Sequence, residues 1–499
     1  MNARKSSTSF REAGSRETGL RASIERETKL SVDSTFRLPK LPGRTLPKRV
    51  LTSTYYDARD YRLAHAGITL RRRVERRSSL WQLKLPSEDG RREVEIAGGP
   101  DAVPAPLARL LIAHLRGDEA VPVATLRTWR TGVRVRGPAG PVADVLLDTV
   151  SVLQDWRVTA RFRELEIERL DGDAALIEHL EGALREAGAG DHDGRPKLFQ
   201  ALGLPSSPGE PPAADAPIAD HLMFMLGRQV TALLAHDPGT RLGGEIEDVH
   251  QMRVATRRLR TVLRVARPLL DPEWIEPLRA ELAWLGGLLG PARDLDVQMS
   301  YFRDEAATLK SRDRRPLERF IEHLGRTREA AQRTLVDQLE SPRYLKLVGR
   351  LLLAASQPPV VASQATLAAI AAREFKKLRR AMKQLGRTPS HATLHRARIQ
   401  TKRARYAAEL AQAVVGKPAA RFTDQAKLYQ DLLGVHQDSV LAEQHIRALL
   451  ASTHGLRTAF VAGRMVERQR QRRENARAAL PARWKKLKKL GKKAWRDEL

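Results

Sequence analysis

The order of apolar and polar residues divides the chain into two blocks. From about residue 21 to residue 204, apolar residues alternate with charged ones in short runs separated by turn residues, and this period of two is typical of β-strands. After about residue 218, apolar residues recur at helical spacing in long segments rich in Ala, Leu and Arg. Because the strands and the helices lie in separate blocks, the pattern predicts an α+β multidomain protein rather than one alternating α/β sheet.

A linker is indicated by residues 206–217, which combine proline, glycine and small residues without apolar periodicity. Within the helical block, Gln357-Pro358-Pro359 marks a second break. We therefore expect a disordered tail at 1–20, a strand-rich domain at 21–205, the linker at 206–217, helical bundles at 218–355 and 356–480, and a basic C-terminal tail at 481–499.

The first predicted strand carries Glu25, Glu27 and Lys29 on alternate residues, and hence on one face. Later segments repeat this alternation with both signs of charge. The acidic members of the pattern are Glu25, Glu27, Glu93, Glu95, Glu164 and Glu166, and the basic members are Lys29, Arg71, Arg73 and Lys84. In a closed antiparallel barrel such faces line the interior, where carboxylates can hold Mg²⁺ or Mn²⁺ and basic side chains can bind phosphate oxygens. The alternative for each short motif is a solvated strand face.

The order of these segments resembles the CYTH family of triphosphate tunnel metalloenzymes over about residues 21–204. The resemblance is carried by residues 24–30, 55–57, 63, 67, 70–73, 84, 93–95, 148, 164–168 and 197. It implies an eight-stranded antiparallel barrel whose tunnel binds triphosphate and divalent metal. Carried over by residue, it implies metal binding by Glu25 and Glu27 with Glu164 and Glu166, and phosphate binding by Lys29, Arg71, Arg73, Lys84 and Lys197. We also expect Glu93, Glu95 and Asp148 to bind metal, and Glu25, Glu27 and Lys29 to be the catalytic residues.

One middle strand departs from the basic-x-basic pair that is usual in this family. Arg127 fits the first basic position, but Trp129 occupies the second, and Arg130 then points to the opposite face of a regular strand. A β-bulge would return Arg130 to the interior. We therefore expect Arg127, and Arg130 if a bulge is present, to bind phosphate; without the bulge a phosphate contact is missing.

The helical block contains an internal repeat. The segment 250–260, HQMRVATRRLR, is echoed by 395–405, HRARIQTKRAR. Downstream, the pair Gly290 and Asp294 is echoed by Gly434 and Asp438 at nearly the same offset. Two matched blocks at one offset predict two pseudo-equivalent helical bundles in an all-α domain.

Each copy of the repeat places basic residues on one helix face, because positions i, i+3, i+7 and i+10 share a face. The two faces consist of His250, Arg253, Arg257 and Arg260, and of His395, Arg398, Lys402 and Arg405. Each stripe is roughly 15 Å long, which matches several phosphates of an extended polyanion. Arginine suits this role because its planar fork makes charge-assisted hydrogen bonds to phosphate oxygens. A solvated basic face is the alternative.

The repeat also resembles the CHAD family of paired histidine-containing helical bundles, over about residues 218–475. This resemblance implies binding of inorganic polyphosphate and association with polyphosphate granules. The predicted polyphosphate-binding residues are His250, Arg253, Arg257, Arg258, Arg260, His395, Arg398, Lys402, Arg403 and Arg405.

Amino-acid composition narrows the class of molecule that this protein is expected to bind. The 499 residues include 88 Lys and Arg against 59 Asp and Glu, and the net charge of +29 indicates a polyanionic partner. There is no cysteine, so thiolate metal sites and disulfides are excluded. No apolar run is long enough for a membrane span or a signal peptide, so we expect a cytoplasmic protein. An aromatic content of 5% without a nucleic-acid motif makes nucleic acid the weaker choice of polyanion.

The leading hypothesis is an inorganic triphosphatase that hydrolyses tripolyphosphate or a related short polyphosphate with Mg²⁺ or Mn²⁺, while the helical half binds longer polyphosphate. One alternative is a polyphosphate-binding scaffold whose tunnel turns over poorly, which Trp129 favours. Another keeps the tunnel and changes the substrate to a nucleoside triphosphate, as a triphosphatase or an adenylate cyclase.

Overall fold

A computed structural model describes residues 19–498 except 77, 88–89, 139, 171–173, 205–209, 244, 387 and 453–454. The expected tail at 1–20 lies almost wholly outside the described residues, as do residues 206–209 of the expected linker. The chain divides into two compact units, Met1–Pro208 with Asp237–Gly243, and Gly209–His236 with Gly244–Leu499.

The first unit is built around one antiparallel sheet of ten strands. They are β1 (Arg21–Glu25), β2 (Glu27–Ser31), β3 (Gly43–Asp57), β4 (Thr69–Glu75), β5 (Ser78–Ser87), β6 (Gly90–Ala97), β7 (Val121–Gly137), β8 (Gly140–Gln154), β9 (Arg157–Arg169) and β10 (Gly190–Asp191). Their order across the sheet is β1-β6-β5-β4-β3-β7-β8-β9-β2-β10.

The expectation of a closed barrel of eight strands was wrong, because the ten strands form an open hydrogen-bonded sheet. The predicted first strand is divided at Arg26, where β1 pairs with β6 and β2 pairs with β9. The Arg26 carbonyl accepts a hydrogen bond from the Arg169 amide at 2.8 Å. A sequence pattern shows which residues share a face, but not where a strand changes its partner. Since one residue separates β1 from β2, the two ends of the strand order lie close together.

Five helices of the first unit pack on the sheet or fill one end of it. They are α1 (Arg62–His65), α2 (Ala105–Leu110), α3 (Ile112–Leu115), α4 (Ala174–Glu186) and α5 (Lys197–Leu202). Apolar residues that alternate with the charged ones face outward, so that Trp81 and Val94 join the core under α2 and α3. A separate core around Leu126 contains Leu198 and Phe199 of α5. The outward-facing apolar residues therefore anchor α2 and α3, whereas α5 packs against apolar residues such as Leu126 that share their strand face with the charged side chains.

The second unit consists of helices. They are α6 (Ile218–Ala235), α8 (Ile246–Val265), α9 (Pro272–Ala307), α10 (Ser311–Leu339), α11 (Pro342–Ser356), α12 (Leu367–Lys383), α13 (His391–Leu410), α14 (Gln412–Val415), α15 (Lys417–Ser452) and α16 (Leu456–Ala494). Helix α7 (Asp237–Leu242) lies between α6 and α8 in sequence but belongs to the first unit. Side chains of Asp271, Ser341, Thr366 and Ser390 accept hydrogen bonds from the first turns of α9, α11, α12 and α13. Such caps satisfy amide groups that have no partner within the helix.

The repeat of the sequence is visible in this unit. The basic segments lie on α8 and α13, and the Gly-Asp segments lie on α9 and α15. Helix α8 packs against α9, α13 packs against α15, and α8 also contacts α13. In the described part of the chain, no helix combines the length and the apolar character needed to cross a bilayer.

Candidate functional site

Charged side chains cover the inner face of the sheet, which we define as the face that carries Glu25, Lys84 and Asp148. Residues paired directly across neighbouring strands point to the same face. By this pairing the inner face also carries Lys29, Arg71, Gln82, Arg91, Glu93, Glu95, Arg130, Glu164 and Glu166. The strand alternation therefore brings most of the predicted site residues to one surface.

Three carboxylates on this face form the acidic cluster, Asp148 of β8 with Glu164 and Glu166 of β9. Each offers an oxygen within 4.8 Å of the others. The side chains of Asp148 and Glu164 have no exposed surface, and that of Glu166 is 5% exposed. Among the residues that the structure describes, no other group of three or more such side chains is arranged to hold a metal ion. Buried carboxylates require compensating charge, which the neighbouring side chains supply.

Lys197 lies at the centre of the acidic cluster. Its Nζ is 2.9 Å from Asp148 Oδ2, 2.6 Å from Glu164 Oε1 and 2.8 Å from Glu166 Oε1. Burial alone would lower the pKa of Lys197, but the carboxylates, Glu166 foremost, outweigh it and hold the pKa well above the usual range. The apolar core around α5 fixes this helix, and Lys197 at its first residue therefore reaches the inner face.

Two further cations contact the acidic cluster. Lys29 Nζ is 3.1 Å from Glu166 Oε1 and 3.2 Å from Glu164 Oε1. Arg130 donates from Nε and Nη2 to the two oxygens of Asp148 at 2.8 and 2.7 Å, and Nη2 also lies 2.6 Å from Glu166 Oε2. Burial would raise the pKa of Glu166, but Lys197, Lys29 and Arg130 reverse this and hold the pKa well below its usual range. Glu166 is therefore held in its charged form, and three cations contact the cluster.

On the middle strand β7, the inner and outer faces are the reverse of those expected for a regular strand. Arg130 lies on the inner face, whereas Arg127 is exposed on the outer face and Trp129 is 57% exposed there. The pairing of β7 with β8 is regular from Thr125 to Val135, so no bulge in that pairing reorients Arg130. The inward placement of Arg127 was therefore wrong by one residue, which is enough to exchange the two faces of a strand.

A second group of charges on the inner face involves β1, β4, β5 and β6. Lys84 Nζ is hydrogen-bonded to Glu25 and lies 3.9 Å from Glu93 Oε1. Arg71 donates to the Tyr55 hydroxyl at 3.2 Å, and its Nη2 is 3.9 Å from Glu93 Oε1. Glu25 and Glu93 are thus salt-bridged to cations of this group and do not join the acidic cluster.

The remaining predicted inner-face residues are divided between the two groups. Arg73 Nη2 is 4.0 Å from Glu95 Oε1, which places this pair beside Arg71. Glu27 Oε1 is 3.7 Å from Lys29 Nζ, which places it beside the acidic cluster.

The sequence motifs did not single out Arg91 and Glu168, although both continue an alternation that they contained. Arg91 shares its face with Glu93 and Glu95, and Glu168 shares its face with Glu166. Arg130 Nη1 is 3.2 Å from Glu168 Oε1. Burial raises the pKa of Glu168 to about 7, although Arg130 opposes the shift. Extending each run by one residue of the same parity would have found both side chains.

In the second unit, a cavity of about 680 Å³ lies between the two copies of the repeat. Its charged and imidazole lining residues are His250, Arg253, Arg257, Arg293, Asp294, Asp296, Asp304, Arg398, Asp438, His445 and Arg472. Three residues of the first-copy stripe on α8 and Arg398 of the second-copy stripe on α13 therefore line one cavity, which we call the repeat cavity.

The same local contact occurs in both copies. Arg253 Nη1 donates to Asp294 Oδ1 at 2.7 Å, and a Cβ on Gly290 would lie 4.0 Å from Arg253 Nη2. In the second copy, a Cβ on Gly434 would lie 3.5 Å from Arg398 Nη2. The repeated glycine therefore leaves room for the repeated arginine.

Positive charge exceeds negative charge beside the repeat cavity. Burial and the neighbouring arginines, Arg257 and Arg398 first among them, lower the pKa of Lys402 to about 7. The Nε atoms of Arg257 and Arg398 are buried without a hydrogen-bond partner. An unsatisfied buried donor is destabilising, so this arrangement favours an anion that supplies acceptors.

Other members of the predicted stripes lie away from the cavity lining. His395 and Arg260 are exposed, and Arg403 is half-buried. Arg405 is buried and donates to Glu409 at 2.9 Å. Arg258 lies 5.8 Å from the centre of the Tyr406 ring, as a cation–π contact.

Comparison with known proteins assigns both units. The CYTH domain model matches residues 23–190, and the CHAD domain model matches residues 225–447. An uncharacterised protein of Mycobacterium tuberculosis strain H37Rv is 31% identical over 486 residues, which cover 90% of this chain and 92% of that protein.

Solved structures were also matched. PptA from Streptomyces chartreusis matches with a TM-score of 0.45 and 23% identity, over 54% of this chain and 100% of its own. The CHAD domain from the plant Ricinus communis matches with a TM-score of 0.45 and 24% identity, over 56% of this chain and 96% of its own. From the domain matches and the relative that is similar over nearly its whole length, the chain belongs to the CYTH and CHAD families and carries one domain of each.

Proposed function

We propose that the first unit, the CYTH unit, is a metal-dependent phosphohydrolase that cleaves a terminal phosphoanhydride of inorganic triphosphate or a related short polyphosphate. The second unit, the CHAD unit, binds longer inorganic polyphosphate. The observation that carries the proposal is the buried acidic cluster, Asp148, Glu164 and Glu166, on the same face as Arg71, Arg73 and Lys84. Oxygen ligands for a hard cation and basic groups for phosphate thus occupy one surface.

The acidic cluster fits Mg²⁺ or Mn²⁺. Its donors are carboxylate oxygens, which these ions prefer, and they lie within 4.8 Å of one another. Lys197 Nζ, 2.6–2.9 Å from all three carboxylates, already lies where a single cation contacts the whole cluster. Asp148, Glu164 and Glu166 would hold such an ion only if Lys197 moved away, and the ammonium group of Lys197 would then be available to a phosphate.

A bound divalent ion supplies Lewis-acid polarisation of the phosphoryl oxygens. Arg71, Arg73 and Lys84 bind and orient the phosphates that do not react. Lys29 and Arg130, which flank the acidic cluster at 3.2 Å or less, offset the charge that develops on the transferred phosphoryl group. Because these side chains are largely buried, their charges are weakly screened and act strongly on the substrate.

The repeat cavity supports polyphosphate binding by the CHAD unit. An extended chain of phosphates would supply acceptors to the Nε atoms of Arg257 and Arg398. It would also favour the charged form of Lys402, whose pKa the neighbouring arginines depress. Binding therefore relieves repulsion that the free protein contains.

A polyphosphate-binding scaffold is the second candidate, and one observation favours it. The three carboxylates of the acidic cluster are satisfied by Lys197, Lys29 and Arg130 without any metal. If these ion pairs persist, the inner face binds phosphate but does not turn it over. Trp129, which suggested this alternative in the sequence, lies on the outer face and does not support it.

The experiment that tests the proposal is phosphate release from tripolyphosphate, with ATP and long-chain polyphosphate in parallel, each in chelator, Mg²⁺ or Mn²⁺. We expect metal-dependent release that is lost in the Glu164→Gln/Glu166→Gln variant and kept in a Glu181→Gln control on the surface of α4. Release that persists in chelator or in the double variant would contradict the proposed site. No release with polymer binding intact would favour the scaffold, and preferential turnover of ATP would favour a nucleotide-directed activity.

A further inference from the structure

A cavity of about 450 Å³ in the CYTH unit adjoins the inner face. Pro86 of β5 and Arg91 of β6 line one side of it, and Arg195 lines it from the segment that precedes α5. Phe199 also lines it and lies on the same short helix as Lys197, so α5 connects this cavity with the acidic cluster. We call it the α5 cavity.

Arg91 has hydrogen-bonding capacity that the described residues do not use. Its Nη2 donates to the Gly67 carbonyl at 2.6 Å, while its Nε is buried without a partner. Burial lowers the pKa of Arg91, with Glu27 and Glu25 opposing, but a guanidinium group keeps its charge in proteins. A buried, charged donor without an acceptor points to a ligand that provides one.

The surroundings of Arg91 favour an anion. Arg195 Nε donates to Asp193 Oδ2, so the acidic residue of the cavity wall is already neutralised. Arg91 is paired in register with Glu25, and Glu25 is in turn hydrogen-bonded to Lys84. The basic groups of the inner face therefore continue from Arg71 and Lys84 to Arg91, as an extended chain of phosphates would require.

We propose that the α5 cavity is an anion subsite that binds the next phosphate of a linear polyphosphate whose reacting end lies at the acidic cluster. Arg91 is then a specificity-determining residue that favours tetrapolyphosphate and longer chains over tripolyphosphate. This proposal rests on the function proposed above and specifies its substrate. The organic part of a nucleoside triphosphate is the competing occupant, and the charge of Arg91, with its unused Nε donor, argues for phosphate instead.

The test measures kcat/KM of the full-length protein with tripolyphosphate, tetrapolyphosphate and ATP. Loss of a hydrogen bond to a charged group predicts that Arg91→Gln lowers kcat/KM for tetrapolyphosphate by about 10- to 100-fold, and for tripolyphosphate by less than about threefold. Arg195→Gln on the opposite wall should lower the tetrapolyphosphate value alone, by a smaller factor. Arg136→Gln removes the same charge from an exposed position of β7 and should change none of the values. Equal losses for both polyphosphates, or a loss confined to ATP, would overturn the proposal.

A binding measurement separates failure of this proposal from failure of the proposed hydrolysis. With Mg²⁺ or Mn²⁺ present, we would titrate tripolyphosphate and tetrapolyphosphate into full-length protein that carries Arg257→Gln and Arg398→Gln, which weaken the repeat cavity. If no substrate is hydrolysed, the subsite still predicts tighter binding of tetrapolyphosphate, and Arg91→Gln should remove that preference while Arg91→Lys keeps part of it. No preference for the longer chain in this background would refute the subsite, whatever the activity.

Discussion

Replacing Lys197 with methionine tests whether its ammonium group holds the position of a metal ion. Methionine keeps a similar length and flexibility without the charge. The substitution removes the contacts of 2.6–2.9 Å to Asp148, Glu164 and Glu166 and leaves Lys29 and Arg130 to neutralise all three carboxylates. We expect the variant to be less stable in chelator and to bind a divalent cation more tightly than the wild-type protein.

The magnitude follows from the burial of the cluster. Removing one partner of a buried ion pair costs about 3–5 kcal/mol. For a unit of this size, 1 kcal/mol changes the melting temperature by roughly 2–4 °C, so the CYTH transition should fall by roughly 6–20 °C in chelator. If the same interaction opposes metal binding in the wild type, its removal tightens binding by up to roughly 160- to 5,000-fold, because about 1.36 kcal/mol is a factor of ten. Protonation of a freed carboxylate reduces this gain, so we expect at least about tenfold.

Free Mn²⁺, measured by its paramagnetic resonance signal, gives the affinity without reference to activity, and thermal melts in chelator and in Mn²⁺ give the stability. Lys84→Met is the matched control, since Lys84 also lies on the inner face but contacts Glu25 and Glu93 instead of the acidic cluster. The control should not tighten Mn²⁺ binding. If Mn²⁺ affinity is unchanged or weaker in Lys197→Met, Lys197 does not compete with the metal and the reasoning fails.

Three further predictions concern other charged groups. Arg257→Gln with Arg398→Gln should weaken binding of long-chain polyphosphate by at least about tenfold in a filter-binding assay, because two donors to phosphate are lost, and should leave tripolyphosphate hydrolysis unchanged. Arg130→Lys keeps the charge but loses the bidentate contact with Asp148, so kcat/KM for tripolyphosphate should fall by about 10- to 100-fold. Trp129→Ala on the outer face should change this kcat/KM by less than about twofold. The pKa of Lys402 falls from 10.5 to about 7 in the fold, so its charged form destabilises the CHAD unit below pH 7, and stability gains as pH rises toward 10.5. Polyphosphate favours the charged form of Lys402, so the affinity for polyphosphate should fall from pH 6 to pH 9. Calorimetry in buffers of different ionisation enthalpy should show proton uptake on binding. Lys402→Met should remove this pH dependence.

The sequence predicts which residues alternate, but it does not fix how the strands align. Alternation was sufficient to place Glu164 and Glu166 on one face, and the repeated sequence blocks correspond to the repeated helices of the CHAD unit. The segment 126–130, Leu-Arg-Thr-Trp-Arg, has a polar and an apolar residue at both parities, so its face could not be chosen from local pattern. Only the partner settles it, because Arg130 pairs in register with Asp148 and must share its face.

The grouping of carboxylates shows the same limit. The sequence treats Glu25, Glu93 and Glu164 as equivalent, since each is a glutamate on an alternating strand. Their ion pairs separate them, because Glu25 and Glu93 lie beside Lys84. Glu164 instead contacts Lys197 and Lys29. Contacts between residues far apart in sequence depend on the register of every intervening strand, and a shift of one residue exchanges the faces.

The two units neutralise their buried charges differently, and this difference predicts a different requirement for metal. In the CYTH unit the cations Lys197 and Lys29 contact carboxylates at 2.6–3.2 Å, so a polyphosphate must compete with those carboxylates unless a divalent ion binds them first. In the CHAD unit the Nε atoms of Arg257 and Arg398 have no partner, so an anion meets no such competition. We therefore expect equilibrium dialysis in chelator to show retention of long-chain polyphosphate that depends on Arg257 and Arg398. We expect the variant lacking both arginines to bind tripolyphosphate only when Mg²⁺ or Mn²⁺ is added. Strong binding of tripolyphosphate to that variant in chelator would show that the carboxylates do not hold these cations, and the coupling of metal to phosphate would have to be abandoned.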